Sequence, residues 1–332
     1  MKQVDKYNLS YVLTTRNKLP YLKEVMNRLV ENVQDDEEVV VVDGASIDGS
    51  VEYLKNQFEK GHIHQLLSEP DLCQAHGTNK GLLMAQGQII KILTDDDVFY
   101  FPGIRKCKEF LLSHPEIDVL NGNTADFYKD GSKNFYPRDY LQKRYLQWQR
   151  NERPAFWFGD QSLFIRRDKL PLIGLYHTGV SCLDVEQTVR ITALRQVKIA
   201  WYTGILACAV YNPNSSSLSE GWAEKNYRDV QRIFRFYISE KHKLNGNSLP
   251  LILWHRIRKL IRFKKRLRKL IKITKKGFTK DLNTSDKIKT KPPKRVAFSD
   301  SCSIPDVYKR CDIWMEAKNS SSDKARFILP VS

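Results

Sequence analysis

Glu38-Val39-Val40-Val41-Val42-Asp43-Gly44-Ala45-Ser46-Ile47-Asp48-Gly49-Ser50 joins an unbroken apolar run to a polar loop punctuated by glycine. Apolar residues without alternation mark a strand buried on both faces, as in a parallel sheet covered by helices. The loop then feeds a helix through Tyr53, Leu54 and Phe58. The same unit recurs on either side. Upstream, Leu9-Ser10-Tyr11-Val12-Leu13 predicts a strand that stops at Thr14-Thr15-Arg16-Asn17. Pro20 suits the first turn of a helix with Leu22, Val25, Met26 and Leu29 on one face. Downstream, a short strand near Ile63 to Leu67 precedes a helix over roughly 74–85 that closes at Gly87. Gln88-Ile89-Ile90-Lys91-Ile92-Leu93 then runs into Asp95-Asp96-Asp97. Repeated βα units of this length imply an α/β fold with a doubly wound, mostly parallel sheet.

From Pro102 to about Asn212 helices mix with short strands and aromatic loops such as Phe156-Trp157-Phe158-Gly159-Asp160. Asn212-Pro213-Asn214-Ser215-Ser216-Ser217 reads as a loop before a polar helix over about 221–238. The formal net charge is +17, but thirteen Lys and Arg and no acid lie within 251–280, leaving only +4 on the rest of the chain. The basicity is therefore local. The six cysteines show no C-x-x-C spacing and no neighbouring His at zinc-ligand spacing, as expected of reduced thiols in a cytosolic protein. MKQVDKYNLS lacks the apolar centre of a signal peptide, and no apolar run approaches about 18 residues, so neither secretion by that route nor a membrane span is expected.

In an open parallel sheet, ligands bind outside the carboxyl ends of the strands. Thr14-Thr15-Arg16-Asn17, Asp43-Gly44 and Asp95-Asp96-Asp97 converge there. Three adjacent carboxylates after an apolar strand repel one another and lose hydration. A divalent cation resolves that cost: Mg²⁺ takes one or two carboxylates and keeps positions for substrate phosphates. The same ion assists a departing diphosphate as a Lewis acid.

Four ordered motifs across about 95 residues resemble glycosyltransferase family 2, with its GT-A fold. Val41 to Ser50 is similar to the family's V-V-D-x-x-S-x-D-G-S/T loop. Ser68-Glu69-Pro70-Asp71, with Asn79-Lys80-Gly81 and Ala85-x-Gly87, resembles the segment before its metal site. Leu93-Thr94-Asp95-Asp96-Asp97, with Pro102-Gly103 beyond, resembles its DxD-type strand end. The resemblance covers about residues 8 to 210 and implies an inverting glycosyltransferase that uses Mg²⁺ or Mn²⁺ and a nucleotide-sugar donor, with a UDP-sugar foremost. It places Thr14 and Asn17 beside the nucleotide, Asp43 on the base, and Asp71, Lys80 and Asp95 near the ribose, diphosphate and strand end. Asp96 is the first metal ligand, with Asp95 or Asp97 assisting; the register of the three acids is open by one. Cys182-Leu183-Asp184-Val185-Glu186-Gln187-Thr188-Val189-Arg190 resembles the family's acidic segment at the start of a helix, which offers Asp184, with Glu186 as rival, as the base. Many relatives carry two adjacent acids where this chain has Leu183 before Asp184. His177 is a further candidate for acceptor or metal contact.

The basic stretch 251–271 places Leu253, Ile257, Leu260, Leu267, Leu270 and Ile271 on one helical face among cations, with Trp254 at its start. That is the composition of an interfacial helix on anionic lipid, and no nucleic-acid motif accompanies it. The expected organisation is a GT-A domain over 1–240, with its nucleotide-binding half at about 8–103 and acceptor half at about 104–212. A basic amphipathic membrane-association segment over 241–280 follows, then a polar, partly disordered tail over 281–332. A glycan or lipid-linked acceptor in cell-envelope polysaccharide synthesis follows from that reading, with the protein peripheral on the inner face of the cytoplasmic membrane. Two rivals are a nucleotidyltransferase, which would want glycine in Thr14 to Lys18, and a non-catalytic basic RNA- or membrane-binding protein.

Overall fold

A computed structural model describes residues 6–127, 135–210, 221–239, 303–321 and 325–330. The chain divides into two units, Met1–Ile233 with Arg295–Ser332, and Phe234–Lys294. Of the second unit only residues 234–239 are described, so the basic segment 251–271 lies outside the described residues, as does the loop 212–217 of the first unit.

The first unit opens with β1 (Tyr7–Thr15), α1 (Leu19–Asn32), β2 (Glu37–Asp43), α2 (Ser50–Glu59), β3 (Gln65–Ser68), α3 (Gln74–Met84) and β4 (Gly87–Thr94). These follow the strand-helix alternation expected from the sequence. It continues with β5 (Val98–Phe99), α4 (Phe101–Ser113), β6 (Val119–Phe127), β7 (Phe135–Pro137), α5 (Asp139–Gln149), β8 (Phe164–Arg166) and the short α6 (Leu170–Ile173). The last elements are α7 (Leu183–Ala193), β9 (Ile199–Val210), α8 (Trp222–Phe234), α9 (Ile304–Ser321) and β10 (Phe327–Ile328).

The strands form one sheet in the order β10-β9-β6-β8-β4-β1-β2-β3, with β5 on β9 and β7 on β6. β1, β2, β3 and β4 are mutually parallel. β8 is antiparallel to both β4 and β6, so β6 and its parallel neighbour β9 again point the same way as β4. The sheet is thus mostly parallel, with β8 as a reversed wedge at its centre.

Side chains alternate across a strand, and the core divides accordingly. Leu9, Tyr11 and Leu13 of β1 and Val39 and Val41 of β2 pack with α1, α4 and α9 on one face. Val12, Val40, Ile90 and Ile92 pack with α3 and α5 on the other. All seven residues of β2 are buried, Glu37 and Glu38 among them. Each acid is compensated at the amino ends of the strands: Glu37 meets Lys108 at 2.8 Å, and Glu38 accepts from Gln65 at 2.9 Å and from the Gly87 N–H at 3.1 Å. Helix α3 lies close against β1, since a Cβ on Gly81 would collide with Val12.

The composition of 281–332 suggested a polar, partly disordered tail; its described residues instead form α9 and β10. Val307, Tyr308, Cys311 and Met315 of α9 are buried in the first core cluster, and β10 adds an antiparallel edge to β9. Their spacing of three and four residues supplies one apolar stripe on a helix that is polar on average. Among the described residues no helix is long and apolar enough to cross a membrane.

Candidate active site

The strand register sets the site. Thr14 pairs with Thr94, Thr15 with Asp43, and Asp43 with Ser68, so the carboxyl ends of β1, β2, β3 and β4 finish nearly level. Beyond them opens a cleft of about 640 Å³. Its lining includes Thr14, Thr15, Arg16, Lys18 and Asp71, the acids Asp95, Asp96 and Asp97, and Asp160, Gln161 and Asp184.

The loop after β2 is latched to the loop after β1. The Asn17 N–H donates to Ser46 Oγ at 2.8 Å, and Asn17 Oδ1 accepts from the Ile47 N–H at 2.9 Å. Asp48 accepts from the Leu19 N–H at 2.9 Å. Asn17 and Ala45 both sit at positive φ, 54° and 58°; asparagine tolerates that region, whereas alanine is strained there. Asp43 is fully buried beneath this latch. Its carboxylate accepts from the Ser46 N–H at 3.0 Å and from the hydroxyls of Ser46 and Ser68, the latter at 2.8 Å.

On α3, Lys80 grips Asp71 at 2.6 Å and Glu69 at 2.8 Å. A Cβ on Gly77 would collide with the Asp71 carboxylate, so glycine there lets that group lie against the helix.

The three acids after β4 have separate surroundings. Asp97 is buried and accepts from Thr94 Oγ1, Gln161 Nε2 at 2.8 Å and the Val210 N–H at 2.9 Å. It thereby ties the end of β4 to the end of β9. Asp96 is part-buried and paired with Lys18 at 2.8 Å. Asp95 is part-buried too, beside Thr15, whose buried hydroxyl makes no hydrogen bond of good geometry. Burial first, and then the charge of Asp96, raise the pKa of Asp95, against the opposing pull of Lys18. Burial and Asp96 raise Asp97 in the same way.

Among the described residues no three His, Cys, Asp or Glu side chains are grouped to hold a metal. A Mg²⁺-like ion does not need three, because water and substrate phosphates complete its six positions. Asp95 and Asp96 fit that pattern: both line the cleft, and their mutual repulsion is what a divalent charge relieves. Asp97, with three donors of its own, does not share that freedom.

Asp184 also lines the cleft and lies in the first turn of α7, where the helix dipole favours a carboxylate. Glu186 is buried, pairs with Arg190 at 3.0 Å and forms no part of the cleft wall. Arg190 also donates to the carbonyls of Ile173 and Leu175, so that pair clamps the turn before α7. Thus Thr14, Asp71, Asp95, Asp96, Asp97 and Asp184 come together on the cleft, whereas Asn17, Asp43, Lys80 and Glu186 stand behind its walls as supports. His177 is exposed and accepts from the Gly179 N–H at 2.9 Å; it is not on the cleft.

Several lining residues had no role in the sequence reading: Lys18, Arg138, Trp157, Asp160, Gln161 and Trp222. Asp160 is the most informative. Burial, and then the neighbouring charge of Asp184, push it up to about 7, against the attraction of Lys91. An acid directly after the aromatic run Phe156 to Gly159 was the available signal.

The sequence model of glycosyl transferase family 2 matches residues 10–170. No curated protein matches the chain. Among solved structures, TarS 1–349 of S. aureus in complex with UDP-GlcNAc superposes with a TM-score of 0.53 at 17% identity, over 73% of this chain and 68% of that one. A mannosyltransferase, PcManGT of Pyrobaculum calidifontis in complex with GDP-Man and Mn²⁺, matches with a TM-score of 0.48 at 16% identity, over 80% of this chain and 84% of that one. At 17% identity the likeness to TarS is one of fold. The parallel sheet, the acids after β4 and the family match agree: residues 10–170 match the sequence model of glycosyl transferase family 2, and the fold is of the GT-A kind.

Proposed function

We propose that the chain is an inverting glycosyltransferase that moves a sugar from a nucleoside diphosphate to a hydroxyl acceptor within this cleft. The observation that carries the reading is that Asp95, Asp96 and Asp184 all line a single cleft. One pair of acids suits a diphosphate, and the other acid suits a proton.

The nucleoside lies along the ends of β1 and α3, by Thr14, Arg16 and Asp71, with Asp43 and its serine partners behind. A Mg²⁺ or Mn²⁺ ion held by Asp95 and Asp96 would supply charge neutralisation to the departing diphosphate. Asp184 accepts the proton of the acceptor hydroxyl as that oxygen bonds to C1 and the C1–O bond to diphosphate breaks. Attack from the side opposite the leaving group inverts the anomeric centre, and a single base suffices for it. Asp160, held partly protonated near neutral pH by burial and by Asp184, donates a hydrogen bond to the acceptor. The UDP-GlcNAc in the S. aureus TarS complex supports a UDP-sugar as the first donor to try. The basic segment 251–271 supports an anionic membrane surface as partner, and with it a lipid-linked or envelope-glycan acceptor.

The test is release of nucleoside diphosphate from a panel of nucleotide sugars with Mn²⁺, using water as the slow acceptor. At least one donor is turned over by the wild type and not by Asp184→Asn; no release from any donor contradicts the reading.

A further inference from the structure

The ion pair between Lys18 and Asp96 bears directly on how a metal enters the site. Lys18 is the residue just before α1, at its N-cap position. Its carbonyl accepts from the N–H groups of Tyr21 at 3.0 Å and Leu22 at 2.9 Å. Its two chain neighbours are fixed as well, Asn17 by Ser46 and Leu19 by Asp48. The backbone that delivers the ammonium is therefore rigid. The side chain is 12% exposed and its partner 16%, with 2.8 Å between Nζ and Oδ2. A charge-assisted bond of that length in a part-buried setting is among the stronger polar contacts a protein makes.

We propose that Lys18 is a built-in counter-cation of Asp96 and competes with a divalent ion for it, a step that rests on the metal reading given above. Two cations cannot both bond the same oxygen at close range without repelling each other. Binding of the ion therefore requires the ammonium to move off Asp96 Oδ2, and the cost of that movement lowers metal affinity. Asp96 keeps a counter-charge before the donor arrives, and the displaced ammonium is left beside the position of the donor phosphates, to which lysine is a suitable point charge. Lys18 is a positioning residue in this scheme: it sets how tightly the acids hold metal.

The full chain is titrated with Mn²⁺ alone, and free Mn²⁺ is read by electron paramagnetic resonance for the wild type, Lys18→Met and Lys18→Arg. The methionine variant is expected to bind Mn²⁺ about tenfold more tightly than the wild type, the scale of losing one hydrogen bond between charged groups. The arginine variant keeps the competing charge and is expected to bind no more tightly than the wild type. Equal or weaker binding by Lys18→Met overturns the proposal and leaves the metal reading standing, whereas absence of Mn²⁺ binding in all three overturns both. A second measurement needs only the wild type: acylation of the Lys18 amine, followed by peptide mass spectrometry, is expected to speed up when Mn²⁺ is added. An unchanged or slower rate contradicts displacement.

Discussion

Asp184 and Asp160 face the same space but differ in what their protons do. Asp184 needs to be ionised to accept a proton, and Asp184→Asn is expected to lower kcat by about 10²–10⁴, the usual contribution of a positioned base, with donor binding unchanged by calorimetry. Asp160, raised to about 7, acts as a donor that an amide can imitate, so Asp160→Asn should keep within about tenfold of wild-type kcat at neutral pH; a loss as deep as that of Asp184→Asn would exchange the two roles. Asp97→Ala is expected to lower stability by about 1–3 kcal/mol, because three donors lose their acceptor, whereas Asp96→Ala is expected to remove metal-dependent donor binding. Lys91 gives a pH test. It is fully buried, donates to the carbonyls of Ile92 at 2.6 Å and Gln161 at 2.7 Å, and burial lowers it from 10.5 to about 7. Between those values the unfolded chain holds a proton the folded chain lacks, so this residue makes stability rise with pH from about 7 to about 10. The urea midpoint of the wild type relative to Lys91→Met should climb over that window, and a flat difference would show the ammonium to be well solvated. At this scale the sequence displayed the acids at strand ends, because apolar runs point at them. It did not separate Asp184 from Glu186, two positions apart on one helix, since the cleft lining and the Arg190 pairing that distinguish them are tertiary. Nor could it assign Lys18, whose partner lies 78 residues away.

The parallel half was readable element by element because β1, β2 and β4 are continuous apolar runs ended by polar turns. β6 was not. Its sequence, VLNGNTADF, is half polar, yet nearly all of it is buried. The two asparagines are satisfied internally: Asn121 donates to the Gly159 carbonyl at 3.0 Å, and Asn123 donates to the Thr203 carbonyl at 2.7 Å and accepts from Trp201 at 3.0 Å. Such compensation leaves no hydrophobic signature. β8 is three residues long, below any periodicity, and its position between β4 and β6 is what carries Asp160 and Gln161 to the acids. Arg166 of β8 donates to the carbonyls of Leu111, His114 and Ile117 around the end of α4, a cap across long sequence separation. Helix α9 supplies the element-scale test. Met315 is fully buried on the sheet, and Met315→Ala should cost about 2–5 kcal/mol in urea unfolding. A change below about 0.5 kcal/mol, the range of surface substitutions, would mean that α9 is not part of the core.

At the scale of the whole molecule, the excess of positive charge lies within 251–280 and the acids after β4 lie within 95–97, in different stretches of the chain. Sedimentation with liposomes containing anionic lipid should carry the protein down at low salt, with release as salt rises, and Trp254→Glu should weaken it; indifference of the wild type to anionic lipid would remove the membrane partner without touching the catalytic reading. The central claim, that Asp95 and Asp96 with the ends of β1 and α3 form a metal-dependent nucleotide-sugar site, is tested most directly by thermal unfolding with nucleotide sugars in the presence and absence of Mn²⁺. A ligand that binds only the folded state raises the midpoint in proportion to its occupancy. At least one donor is predicted to raise it with Mn²⁺, to do less with chelator, and to do nothing in Asp96→Ala; a midpoint that no donor moves, with or without metal, would contradict the account.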